Sequence, residues 1–186
     1  MFIQTEQTPN PATLKFLPGR TIVEQGQVEV LDADEAEQVS PLARRLFAVD
    51  GVRSVFITRD FVAVTKQAAA DWYVLKPAVL GAMVEHFMSG EPAVVQAEAG
   101  ASPAAHAPED DETVTKIKEL LDTRVRPAVA NDGGDIVFHG FERGVVYLHM
   151  KGACAGCPSS VVTLKNGIEN LLRYYVPDVV EVRAID

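Results

Sequence analysis

The sequence predicts an α+β (α/β) chain of two small domains joined by a flexible linker, and three observations carry that expectation. A chain of 186 residues, 47% of them hydrophobic, has room for two small cores. In both halves, short runs rich in Val, Ile and Phe alternate with apolar stripes at helical spacing. Between the halves, residues 89–110 are mostly Ala, Pro and Glu, a composition that cannot bury enough surface to fold. The expected division is 1–88, 89–110 and 111–186. As a coil of ~20 residues the linker would span roughly 25 Å and let the domains move independently.

The first domain opens with apolar segments at 1–5 and 12–17, separated by Thr8-Pro9-Asn10-Pro11 and closed by Pro18-Gly19. A third extended segment is expected over 21–31. Ser40-Pro41 reads as a helix start, with Ser as N-cap and Pro at the first helical position. Val39, Leu42, Leu46 and Phe47 give that helix its stripe, and Asp50-Gly51 stops it. Val52–Thr58 and Phe61–Lys66, with Arg59-Asp60 between them, read as a tight hairpin. Trp72, Leu75, Val79, Met83 and Phe87 mark a further helix that Pro77 must start or kink.

The second domain begins with Asp110-Asp111-Glu112, where a helix N-terminus favours negative charge. Val114, Ile117, Leu121, Val125 and Ala128 form the stripe of that helix, whose last turn Pro127 weakens. Asn131-Asp132-Gly133-Gly134-Asp135 caps it and turns the chain. Strands follow at 136–140 and 145–150. A second helix carries Val161, Leu164, Ile168, Leu171 and Tyr175 on one face, and 179–185 closes as a strand. The order is α-β-β-α-β.

Charge narrows the function classes. Basic against acidic side chains number 8 against 11 over residues 1–88, none against 6 over 89–112, and 9 against 9 over 113–186. A net charge of −9, concentrated in the middle stretch, argues against nucleic acid as a partner. No apolar run approaches ~18 residues, so no membrane span is expected. The first residues, Met1-Phe2-Ile3-Gln4-Thr5-Glu6, show neither a signal pattern nor Arg-rich character, which gives the expectation of a cytoplasmic protein.

The chemistry is expected at the two cysteines of the chain, Cys154 and Cys157. Spaced three apart, they suit metal or redox chemistry in a reducing compartment better than a disulfide framework. They lie in Lys151-Gly152-Ala153-Cys154-Ala155-Gly156-Cys157-Pro158, between a strand and a helix. Pro158 suits the first helical position, which makes Cys157 the N-cap. Unpaired amides and the positive end of the helix dipole would then face both sulfurs and favour thiolate. Gly152 and Gly156 let the backbone wrap closely around an inorganic group.

Four readings compete for this loop, three of them chemical; the fourth, two buried cysteines that simply pack, is opposed by the flanking glycines, Pro158 and the helix terminus. A thioredoxin-like dithiol oxidoreductase needs a βαβ start and a longer sheet than this domain offers. A zinc-stabilised interaction module needs four ligands, and there is no second cysteine pair. His139 and His149 fall at alternating strand positions, where half-exposed histidines are ordinary, and His86 and His106 are weaker candidates. An iron–sulfur cluster is commonly held by four thiolates. One chain supplies two, so a symmetric homodimer supplies four, and a cluster held that way is labile. No acid–base or nucleophile–base constellation appears, so no enzyme is expected.

The residues Gly152-Ala153-Cys154-Ala155-Gly156-Cys157-Pro158-Ser159-Ser160, with Asn131-Asp132-Gly133-Gly134-Asp135 upstream, resemble the C-terminal domain of NifU-like (Nfu-type) iron–sulfur scaffold and carrier proteins. The opening Thr8-Pro9-Asn10-Pro11-Ala12-Thr13-Leu14-Lys15-Phe16 and the later Lys76-Pro77-Ala78-Val79-Leu80 resemble the N-terminal domain that accompanies it. The resemblance implies a [4Fe–4S] cluster bound by Cys154 and Cys157 and bridged between two subunits. It implies passage of that cluster to apo-proteins, supply by an upstream assembly scaffold, and a first domain that serves stability or recipient recognition.

Overall fold

The computed structural model describes residues 2–95, 112–156 and 158–185. It separates into two compact units, residues 1–100 and 101–186. Mixed helix and strand content in both agrees with the expected fold class.

The first unit is a five-stranded antiparallel sheet of order β1-β2-β5-β4-β3. The strands are β1 (Gln4–Gln7), β2 (Thr13–Leu17), β3 (Val28–Val30), β4 (Val52–Ile57) and β5 (Val62–Lys66). Three helices, α1 (Ala33–Val39), α2 (Pro41–Phe47) and α3 (Trp72–Ser89), supply the other half of its core. Phe16, Val55, Ile57, Val62 and Val64 from the strands meet Leu42, Leu46, Leu75, Val79 and Met83 from the helices. Phe56, Phe61 and Ala63 alternate with those strand residues and form a small cluster of their own.

The Arg59-Asp60 hairpin forms as expected, with Val55 opposite Val64 and Ile57 opposite Val62. Ser40 caps α2 by accepting from the Ala43 amide. One expectation changes, and of the two roles left open for Pro77 the helix start is excluded. Of the extended segment at 21–31, only Val28–Val30 is a strand. Helix α3 starts five residues before Pro77, at Trp72, because Asp71 caps it by accepting from the Tyr73 amide. Pro77 is therefore carried inside the helix.

Glu91 to Val95, which composition places in the linker, pack on this first unit. The Ser40 hydroxyl donates to the Ala93 carbonyl, and the Val95 amide donates to the Val39 carbonyl at 2.9 Å. Ala93 is buried in the core. Three consecutive apolar residues, Ala93, Val94 and Val95, outweigh the Pro and Glu around them. The rest of the expected linker, residues 96–110, lies outside the described residues.

The second unit pairs β6 (Gly134–Glu142) with β7 (Val145–Gly152) in an antiparallel hairpin. Its turn, Arg143-Gly144, has φ of 52° and 81°, as a two-residue hairpin turn requires. Helix α6 (Pro158–Tyr175) crosses over to β8 (Glu181–Ile185), which runs parallel to β7. The sheet order is β6-β7-β8, and the α-β-β-α-β order is the expected one.

The helix before β6 is not uniform. It runs as α4 (Glu112–Leu120), a π-helical turn over Leu121–Val125, and α5 (Arg126–Asn131). Pro127 has no amide hydrogen and its ring crowds the carbonyl four residues back, so regular bonding fails there. The Arg126 amide donates instead to the Leu121 carbonyl, five residues back. The wider turn makes Ile117, Leu121, Val125 and Val129 the buried stripe, and Ala128, expected there, is exposed. On α6 the deeply buried residues are Ile168 and Leu172, with Leu171 only half-buried and Tyr175 exposed.

Candidate metal centre

The candidate site lies in the loop that leads from the β6–β7 hairpin to α6. Strand β6 begins at Gly134, which sits opposite Gly152, the last residue of β7. Gly133 enters with φ of 80° and Gly152 leaves with φ of 63°, both in the left-handed region that favours glycine. The Ala153 amide donates to the Gly133 carbonyl at 3.1 Å, and the Ala155 amide to the Gly152 carbonyl at 3.1 Å. These bonds tie the loop from Ala153 to Gly156 to the turn before β6. Pro158 is the first residue of α6, as the sequence predicts.

Cys154 lies in this loop and is 6% exposed, packed among core residues of the second unit. Its sulfur rests against Gly134: a Cβ built on that glycine would stand 2.6 Å from the Cys154 Sγ. Burial, together with the nearby carboxylates of Asp132 and Asp135, pushes the Cys154 thiol up to about 12. The sequence led us to expect an environment that favours thiolate at both sulfurs. At Cys154 the reverse holds, because the side chain turns into the core beside two acidic groups. Cys157 lies outside the described residues.

Next to Gly134, Asp135 is a buried carboxylate with a strong partner. Arg126 donates to it through Nε at 3.0 Å and Nη2 at 2.9 Å, while Nη1 reaches Asp122 at 3.1 Å. The hydrogen bonds that Arg126 donates to Asp135 hold its guanidinium above the ordinary range. The pair ties α5 to the strand that backs the cysteine loop. Neither the glycine–sulfur contact nor the ion pair is a sequence expectation. The Gly133-Gly134 doublet was the available signal for the first. Nine residues of separation gave no signal for the second.

Among the described residues His86, His139 and His149 do not join the loop in a ligand set. His139 is exposed, His149 is half-buried on β7, and His86 is fully buried in the first unit. His106 lies outside the described residues. Among the described residues no group of three or more His, Cys, Asp or Glu side chains could hold a metal ion. The donor the described loop offers is a single sulfur, a soft ligand suited to iron–sulfur or thiophilic metal chemistry. No helix of the described residues is long and apolar enough to cross a membrane.

Comparison with known proteins places both units. The family model described as scaffold protein Nfu/NifU N terminal matches residues 3–90, and the one described as NifU-like domain matches residues 117–183. The chain is 48% identical over 185 residues to the NFU1 iron-sulfur cluster scaffold homolog, mitochondrial, of Drosophila virilis, covering 100% of this chain and 62% of that protein. It is 49% identical to the protein of the same name from Drosophila willistoni, covering 64% of that protein. The chain thus spans somewhat less than two thirds of these relatives. A solution structure of a NifU-like protein from Saccharomyces cerevisiae is 26% identical, with a TM-score of 0.47 over 52% of this chain and 87% of that one. The relatives are named as mitochondrial proteins, which corrects the expectation of a cytoplasmic location. That expectation rested on the residues after Met1, and their composition does not decide a compartment.

Proposed function

The chain belongs to the Nfu/NifU iron–sulfur cluster scaffold family, and from that premise we propose that Cys154 and Cys157 of two chains together hold one [4Fe–4S] cluster and release it to apo-proteins. The observation that carries the reading is the donor inventory. The chain has two cysteines, both in one strand-to-helix loop of the NifU-like unit, and a four-thiolate cluster needs two such loops.

The cluster is cargo. It leaves when thiolates of a recipient replace those of this chain, one iron–sulfur bond forming for each one broken. No oxidant or reductant is needed for the exchange. An upstream assembly scaffold supplies the cluster, and the protein acts as scaffold and carrier and not as an enzyme. The expected boundary at residue 88 moves to Val95, since Ala93 lies in the first core; the boundaries we propose are a first domain of residues 1–95, a linker that ends at residue 110 and a cluster-binding domain of 111–186. The first domain aids stability or recipient recognition.

Anaerobic reconstitution with iron and sulfide, followed by visible absorption and metal analysis, tests the reading. We expect a coloured protein with four iron and four sulfide per two chains. Cys154→Ser and Cys157→Ser should each abolish colour while leaving the far-UV circular dichroism unchanged. A normal cluster in either variant would falsify the ligand assignment. A colourless protein that reduces disulfides, or one that binds stoichiometric zinc, would replace it.

A further inference from the structure

We infer that Gly134 is a positioning residue for Cys154: the place its side chain would occupy is the seat of the Cys154 sulfur. The crowding there is spatial. A Cβ at position 134 would stand 2.6 Å from the Cys154 Sγ, 2.7 Å from the Lys151 carbonyl oxygen and 3.0 Å from the Cys154 amide nitrogen. Two of those three atoms are backbone, one at the end of β7 and one in the cysteine loop, so no side-chain rotation relieves the contact. Gly134 has no left-handed φ to account for its being glycine, unlike its neighbour Gly133 at 80°. What residue 134 must lack is volume.

The backbone around the seat is anchored. Gly134 pairs with Gly152 across the hairpin, and the Ala153 amide is bonded to the Gly133 carbonyl, which holds the loop down on the start of β6. The Arg126–Asp135 pair fixes α5 against the residue next to Gly134. The sulfur is therefore stowed against backbone, with 6% of Cys154 exposed. A cluster shared with a second chain must be met at the surface, so loading requires the sulfur to leave this seat. That consequence rests on the cluster reading above; the seating itself does not.

The test compares cluster-free full-length wild type with Gly134→Ala and with Gly140→Ala. Gly140 lies on the same strand, and a Cβ there would meet nothing within 4 Å. Iodoacetamide labelling is followed at Cys154 by fragment mass spectrometry, with and without urea. In native wild type we expect Cys154 to label about tenfold or more slowly than in urea, because reaction waits on local opening. In Gly134→Ala that protection should largely vanish, and the variant should retain less iron and sulfide than the other two after reconstitution. Gly140→Ala should behave as wild type. Equal labelling of wild type in buffer and urea overturns the inference even if Gly134→Ala does not fold. So does Gly134→Ala labelling no faster than Gly140→Ala. Failure of wild type to take up a cluster removes the cluster reading and leaves the labelling result to stand or fall alone.

Discussion

His86 sits on α3 with no exposed surface, and among the described residues neither ring nitrogen has a hydrogen-bond partner. Burial lowers its pKa from the ordinary 6.5; Arg45 and Arg44 of α2 lower it further, against an opposing contribution from Glu91. The folded state thus binds the proton less well than the unfolded chain. Stability from this group is fully present above about 6.5 and is lost as pH falls through the folded value. Urea midpoints of wild type should drop between pH 7.5 and pH 5, and His86→Met should drop less. Parallel losses in the two proteins would contradict this. Arg126 makes a second residue-scale case. Replacing it with Met leaves the buried Asp135 carboxylate without its bidentate partner and should cost about 2 kcal/mol in urea unfolding. The half-exposed guanidinium keeps that figure below the cost of a fully buried pair. None of these contacts was legible beforehand, since burial and pairing of single side chains depend on what the rest of the chain brings alongside.

Elements were read more successfully where local chemistry alone decides them. Ser40-Pro41 and the Arg59-Asp60 hairpin carry their own start and turn signals, and both form where expected. Helix α1 was missed because its charged sequence buries only Ala36 and shows no stripe. Its signal was the cap: Asp32 accepts from the Glu35 amide at 2.8 Å, and Glu35 accepts from the Leu31 amide at 3.0 Å. The helix before β6 shows the converse. Pro127 was seen to weaken it, yet the π-helical turn that moves Val129 into the core is a tertiary outcome. Ser40 joins two elements, since the same hydroxyl caps α2 and donates to Ala93. Ser40→Ala should therefore destabilise the first unit by about 1–2 kcal/mol. Amide exchange at Ala43 should quicken along with it, and a loss below about 0.5 kcal/mol would show that the double role is not real.

For the molecule as a whole, the two-domain class followed from the break in composition, because a segment poor in large apolar residues cannot build a core of its own, even though Ala93 near its start joins the first one. The cysteine loop could be proposed as a site because its residues are adjacent in sequence. Its electrostatics were not, because Asp132, Asp135 and Gly134 reach Cys154 only through the hairpin that folds β6 back on β7. Each unit has a core of its own. Polypeptides of residues 1–95 and 112–186 should accordingly fold separately and give thermal midpoints close to those of two transitions in the full chain. A unit that is unfolded when expressed alone would count against that independence.

The proposed sharing of one cluster between two chains is read most directly by mass. Native mass spectrometry of the anaerobically reconstituted protein should show a dimer carrying one [4Fe–4S] cluster, which falls to cluster-free single chains when an iron chelator is added. A single chain holding a complete cluster, or a dimer with one cluster on each chain, would contradict the account.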